Sequence, residues 1–204
     1  MGKFDSDVGA PAAIVDYGAG NLTSVRNAFA AIGAAAVVTR DPEVVRAAAR
    51  VVFPGVGAAK SAMENLRSLG LADAVREAAA SKPFLGICLG MQILFERTEE
   101  DGGVDLLGVL PGRVRRFPAA AGFKVPQMGW NGVASEDPLV RDGGEYYFVH
   151  SYYVEENAFT AGRTQYAGVT FSSAVRRGRL LATQFHPEKS GRLGLELLKG
   201  FLEC

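Results

Sequence analysis

Hydrophobic positions along the chain form short runs whose period changes part-way through. In the first half, short apolar segments alternate with stretches whose apolar positions recur at helical spacing. Ala12–Asp16 predicts a strand stopped by Gly18-Ala19-Gly20, after which Asn21 caps a helix running through Ala30 and ending at Gly33. Ala35–Thr39 predicts a second strand, Pro42–Ala49 a short helix, and Val51–Phe53 a third strand ending at Pro54-Gly55. A helical pattern covers much of Ala59–Ala80, with a break at Gly70. Pro83–Ile87 then predicts a fourth strand, and Leu89–Arg97 a helix directly behind it. Strands separated by helices are joined by long crossovers, which favours a parallel sheet covered on both faces.

From Gly108 to Leu181 the period shortens. Runs around Val114–Phe117, Tyr146–Val154, Gln165–Val169, Ser173–Val175 and Leu180–Phe185 are separated by Gly and Asn/Asp turns, the pattern of antiparallel strands and hairpins. A closing helix is predicted over Leu193–Leu202. The expected fold is therefore α/β, with a mixed sheet that is parallel in its N-terminal half and gains antiparallel additions later. Residues 1–11, with Lys3, Asp5 and Asp7, read as an N-terminal extension, and 12–204 read as a single domain, which suits 204 residues.

Composition narrows the function classes. Lys+Arg and Asp+Glu are both 22, so bulk charge gives no reason to expect nucleic acid or an anionic membrane as a partner. No apolar run approaches the roughly 20 residues of a membrane-spanning helix. The two cysteines, Cys88 and Cys204, are far apart and make no disulfide framework, which favours a reducing cytoplasm. With two histidines there is no metal-ligand cluster. Gly18-Ala-Gly20 has Thr23 where a dinucleotide fingerprint needs its third glycine, and no Walker A pattern occurs. No metal or cofactor is expected.

The segment most informative about chemistry is Lys82-Pro-Phe-Leu-Gly86-Ile-Cys88-Leu-Gly90-Met-Gln92. A strand leading through Gly-x-Cys-x-Gly into a helix is the cysteine counterpart of the nucleophile elbow of serine hydrolases. Flanking glycines permit a sharp turn, and a helix N-terminus beside the sulfur favours thiolate. The competing reading is a small buried core cysteine. A thiolate needs a base, and the candidates are His186 and His150. His186 lies in Gln184-Phe-His-Pro-Glu188-Lys189, where Pro187 fixes the backbone and Glu188 can orient the ring. His150 lies in an aromatic strand-like stretch, Phe148-Val-His-Ser-Tyr-Tyr153, and ranks second because a structural histidine is the commoner outcome there. Phe53-Pro-Gly-Val-Gly57 emerges at the same sheet edge, and its glycines could turn backbone N–H groups toward an oxyanion.

These residues resemble a known family. Gly86-Ile-Cys-Leu-Gly-Met-Gln92 with Phe185-His-Pro-Glu188 is similar to the triad (class I) glutamine amidotransferases. Asp16-Tyr-Gly-x-Gly-Asn21, Pro54-Gly-Val-Gly57, Pro126-x-Met-Gly-Trp-Asn131, Tyr147-Phe-Val-His-Ser-Tyr152 and Gln184-Phe-His-Pro-Glu-Lys-Ser190 narrow it to the glutaminase subunits of imidazole glycerol phosphate synthase. The resemblance implies a flavodoxin-like fold and a triad of Cys88, His186 and Glu188. It implies an oxyanion site of Gly55, Val56, Gly57 and Leu89, the first three on a strand that in this family can need a peptide flip. Glutamine would be held by Gln92, Glu100, Ser151 and Tyr152. Trp130, Tyr147 and Lys189 would dock on a cyclase subunit, a (β/α)8 barrel that receives the ammonia. One departure stands out: the family usually carries His where this chain has Gln127, which bears on partner contact or signalling more than on hydrolysis.

Overall fold

A computed structural model describes residues 10–204. Most of the expected 1–11 extension lies outside the described residues.

The first half follows the alternation. In order come β1 (Ala12–Val15), α1 (Leu22–Ala31), β2 (Ala36–Thr39), α2 (Pro42–Ala47), β3 (Val51–Gly55), α3 (Ala59–Ser68), α4 (Leu71–Ser81), β4 (Phe84–Cys88) and α5 (Leu89–Gln92). Local chemistry sets the boundaries. The Asn21 side chain accepts from the Ser24 amide at 3.3 Å to start α1, and Asp41 accepts from Glu43 at 2.8 Å ahead of Pro42 to start α2. Gly70, at φ +68, takes the left-handed conformation that ends α3 and lets α4 begin.

The second half adds β5 (Arg97–Thr98), β6 (Val104–Asp105), β7 (Arg113–Arg116), β8 (Gln127–Ser135), β9 (Gly144–His150), β10 (Tyr152–Val154), β11 (Thr160–Tyr166), β12 (Val169–Arg177), β13 (Leu180–Thr183) and α6 (Gly191–Leu202). The strand order is β2-β1-β3-β4-β13-β12-β10-β7-β5-β6, with β11 joining β12 to β8 and β8 pairing β9. β2, β1, β3, β4 and β13 run parallel. The mixed α/β sheet is thus as expected, with one refinement: β13, from the C-terminal half, extends the parallel set.

Four local expectations are corrected. The helix expected over Leu89–Arg97 stops at Gln92, because Ile93, Leu94 and Phe95 are buried in turns whose carbonyls accept from Leu107, Leu110 and Gly108. The run Gln165–Val169 is not one strand: Gln165 and Tyr166 end β11, Ala167 (φ +51) and Gly168 (φ +77) form the hairpin turn, and Val169 begins β12. Tyr146–Val154 breaks at Ser151 into β9 and β10. β8, a nine-residue strand, has no counterpart among the expected elements.

Side-chain alternation divides the core into two layers. From β1, β3, β4 and β13, residues Ile14, Val52, Leu85 and Leu181 pack with Val25 and Phe29 of α1 and Leu197, Leu198 and Phe201 of α6. Val15, Phe53, Phe84 and Ala182 point the other way, onto α2, α3 and α4. The strand order reverses between β1 and β3, and beyond the carboxyl ends of β3, β4 and β13 the following residues border a crevice lined by Val56, Gly57, Cys88, Leu89 and His186.

Candidate active site

Cys88 ends β4 at the mouth of that crevice, in a backbone conformation (φ 55, ψ −111) that side chains rarely adopt. The strain is kept because the next turn is wedged against β3. A Cβ on Gly90 would sit 1.8 Å from the Phe53 carbonyl oxygen, and one on Gly86 2.9 Å from the Ala182 Cβ. The glycines flanking the cysteine are therefore requirements of close approach. α5 is a single turn of four residues, so the helix dipole expected beside the sulfur is short.

His186 follows β13 on a loop that enters the short 3-10 turn Pro187–Lys189. Its backbone N–H donates to the Tyr147 carbonyl (2.9 Å), and Glu188 Oε1 lies 2.7 Å from Nδ1. Both side chains are 2% exposed. With Nδ1 engaged, Nε2 is buried without a hydrogen bond of normal geometry and interacts with the Cys88 sulfur. Burial disfavours the imidazolium, but the Cys88 sulfur and the Glu188 carboxylate outweigh it and raise His186 to about 10. The three residues line or adjoin a cavity of about 290 Å3 bounded by Val56, Gly57, Cys88, Gln92, Tyr152 and His186. A larger hollow of about 560 Å3 lies against α6, but it is lined by Leu139, Arg141, Glu196, Lys199 and Glu203 and contains no nucleophile–base pair.

Such a constellation can perform acyl transfer through a thioester, and comparison with known proteins decides which family uses it here. The family described as "Glutamine amidotransferase class-I" matches residues 13–203. The chain belongs to that family. Among its relatives, the imidazole glycerol phosphate synthase subunit HisH of Aromatoleum aromaticum is 51% identical, over 93% of this chain and 96% of the relative. The HisH subunit of Acinetobacter baylyi is 45% identical, over 94% and 97%. A solved glutamine amidotransferase structure superposes with a TM-score of 0.74 at 22% identity, covering 94% of this chain and 97% of its own, which shows the shared fold.

In this amidotransferase His150, the rival base, is 6% exposed and enclosed by Phe117, Phe148 and Phe171. Its Nδ1 lies 2.7 Å from the Tyr152 carbonyl, and burial lowers it to about 4. A neutral ring follows at physiological pH, with Nδ1–H donating to that carbonyl.

The residues assigned to glutamine surround the same cavity. Gln92 Nε2 donates to the Tyr152 carbonyl (2.8 Å) and to Gln184 Oε1 (3.0 Å), leaving its own carbonyl oxygen for a ligand. The Ser151 carbonyl accepts from Phe117 N (3.1 Å). Glu100 accepts from the Ala59 amide (2.6 Å), capping α3, whose Ala58 has no capping side chain; its pKa is raised, chiefly by burial. A Cβ on Gly55 would lie 2.8 Å from Gly90 N, 2.8 Å from the Tyr17 hydroxyl oxygen and 2.9 Å from the Leu89 Cβ, whereas one on Gly57, at φ +88, would meet open space.

Two polar residues at the site carry no role in the sequence reading. Gln184 is wholly buried and donates to the Cys88 sulfur at 3.7 Å, while the thiol donates to the Val149 carbonyl at 3.8 Å. A lone amide in the apolar run Leu180–Phe185 was the available signal, since a buried amide demands partners. Tyr17 is also wholly buried, against Phe53 of β3, and its pKa is raised mainly by burial.

The residues expected to dock a partner form one exposed patch. Trp130 (56% exposed) meets Tyr147 edge-on across the β8–β9 pair, and Lys189 Nζ sits 5.8 Å above the Tyr147 ring. Gln127 is elsewhere: it is 2% exposed, directly opposite His150 in the β8–β9 register. Gln127 therefore stands behind His150, which lines the cavity, and apart from the exposed patch. Among the described residues no group of three or more His, Cys, Asp or Glu is arranged for a metal ion, and no helix is long and apolar enough to cross a membrane.

Proposed function

We propose that this chain is the glutaminase subunit of an imidazole glycerol phosphate synthase, working in the cytoplasm and in histidine biosynthesis, with residues 12–204 acting as one domain. The observation that carries the catalytic part is the placement of Cys88, at a strained strand-to-helix corner, beside a His186–Glu188 pair bonded at 2.7 Å. The names of the HisH relatives support the synthase assignment and imply a cyclase partner.

The cycle follows from the groups present. Gln92, Glu100 and the Ser151–Tyr152 segment hold glutamine with its δ-carbonyl over Cys88. The proton of the Cys88–His186 pair rests on His186 Nε2, in keeping with the ring's raised pKa, and the sulfur attacks the carbonyl carbon. The Gly55–Val56–Gly57 strand and the Leu89 amide meet the developing oxyanion. As the C–N bond breaks, His186 returns its proton to the leaving nitrogen, giving ammonia and a γ-glutamyl thioester. Water, deprotonated by the same ring, attacks the thioester; glutamate leaves and the Cys88–His186 pair is restored. Glu188 keeps Nδ1–H oriented throughout. Ammonia passes to a barrel-shaped cyclase docked on Trp130, Tyr147 and Lys189, where it reacts with a phosphoribulosyl intermediate to give imidazole glycerol phosphate and aminoimidazole carboxamide ribotide.

The test is ammonia release from glutamine, measured with the chain alone and with the cyclase plus its nucleotide ligand. Ligand-dependent release that disappears in Cys88→Ala is expected. Fast release without a partner would overturn the synthase assignment, and no release from an intact liganded complex would overturn the glutaminase reading.

A further inference from the structure

We propose that Gln184 is a positioning residue that couples occupancy of the glutamine site to the state of the nucleophile, its single amide fixing Gln92 at one end and donating to the Cys88 sulfur at the other. The inference rests on Cys88 being the nucleophile and adds a residue to its machinery.

The direction of every hydrogen bond in this chain is imposed by its first member. The Tyr152 carbonyl can only accept, so it fixes Gln92 with Nε2 toward it (2.8 Å). The second hydrogen on that nitrogen then points to Gln184, which must present Oε1 (3.0 Å). That leaves Gln184 Nε2 facing the sulfur (3.7 Å). Turning the Gln184 amide over would set two NH2 groups together and an oxygen against the sulfur. The sulfur thus receives a donor from Gln184 on one side, while the Val149 carbonyl accepts from the thiol on another (3.8 Å) and the His186–Glu188 pair faces it; of these contacts, the Gln184 donor is the one tied to Gln92 and the cavity.

Burial argues that the amide has a purpose beyond filling space. Gln184 is wholly buried on the loop between β13 and His186, where an apolar side chain of similar volume would avoid the cost of desolvating an amide. Tyr152 and Gln92 also line the cavity, so a ligand that pulls on either acts on the sulfur through Gln184.

The experiment reads the sulfur directly. In the full-length chain, the rate of Cys88 alkylation by iodoacetamide is followed against pH, with peptide mass spectrometry separating Cys88 from the exposed Cys204. Gln184→Met keeps the volume and loses the donor; Gln184→Glu keeps the shape and replaces the donor by an acceptor. The alkylation midpoint is expected to rise by about one pH unit in the first, as for loss of a hydrogen bond to a charged group, and further in the second. Gln92→Met has no hydrogen bond to the sulfur of its own, yet is expected to move the midpoint in the same direction and to add little to Gln184→Met in the double variant. In the liganded complex, KM for glutamine should rise as kcat falls in both single variants. Midpoints that superimpose on the parent's in whichever of these variants fold would overturn the proposal, even if turnover drops. Because alkylation needs no turnover, that result is distinguishable from failure of the glutaminase reading.

Discussion

Gly90→Ala tests whether the corner that presents Cys88 is held by steric necessity. The new methyl carbon would lie 1.8 Å from the Phe53 carbonyl oxygen, and contacts under 3.0 Å are essentially never seen for real Cβ atoms. α5 and β3 would have to part by about 1.2 Å, the difference between those two distances. The obstacle is backbone in a strand buried on both faces, so no side-chain rotation relieves it. Overpacking of this kind costs about 1–3 kcal/mol, and the upper end applies because neither neighbour can yield. For a chain of this size, about 3 kcal/mol lowers the melting temperature by roughly 6–12 °C. The function should suffer more than the stability, since a displacement of about 1 Å at a reacting atom can cost on the order of 100-fold in rate. The assay is a urea titration of the purified variant, paired with kcat for glutamine in the liganded complex. Gly57→Ala is the control for the stability arm alone: its methyl meets open space, and its folding penalty is that of the left-handed φ of +88, about 1 kcal/mol. Equal stability losses at the two positions, or an unchanged kcat in Gly90→Ala, would refute the reasoning.

Three further outcomes are expected. His150, depressed to about 4 by burial, should make the fold acid-sensitive. Its stabilisation is intact above the unfolded pKa near 6.5 and is lost as pH falls toward 4, because only the unfolded chain takes up the proton; the loss is on the order of 3 kcal/mol, so unfolding free energies at pH 7 and pH 4 should differ by that much more in the parent than in His150→Phe. Glu188→Gln should lower kcat less than Cys88→Ala, because it removes the ring's orienting carboxylate and spares the nucleophile; equal losses in complex turnover would argue against that division of roles. Trp130→Ala, at a side chain 56% exposed, should leave the melting temperature within about 2 °C while weakening cyclase binding by about 10-fold or more, as titration calorimetry would measure; unchanged affinity would remove Trp130 from the docking face.

What could be read from the chain depended on how directly each segment's pattern reports its surroundings. β1, β3 and β4 are buried on both faces, so their unbroken apolar runs were plain, and the glycines around Cys88 marked its corner. β8 was invisible because its outward positions, including Met128 and Trp130, are exposed, and glycines at 129 and 132 interrupt any alternation. Ile93–Phe95 mimicked a helix because they are apolar throughout; packing against the turns near Leu107 and Leu110 overrides that local preference. The Ala167-Gly168 turn hid because alanine seldom takes a positive φ. Cys88, His186 and Glu188 were legible as residues, yet the Gln92–Gln184–Cys88 chain depends on which atoms meet across 92 and 96 positions of sequence, and no local pattern carries that.

The β9 strand has a consequence for how such a chain can change over time. Its Tyr147 stands on the exposed patch and its backbone clasps both His186 N and Ser190 Oγ, while Val149, two residues on, offers its carbonyl to the Cys88 sulfur. A one-residue slip in a strand turns every side chain to the opposite face. An insertion or deletion between Tyr147 and Tyr152 would therefore disarm the chemistry and rotate the outer surface in the same event. In the turn at Gly143, just before the strand begins, the same change would spare both. Length variation among descendants of this sequence should thus collect on one side of Gly144 and be purged from the other, so that the outer patch and the inner site are inherited as one indivisible segment.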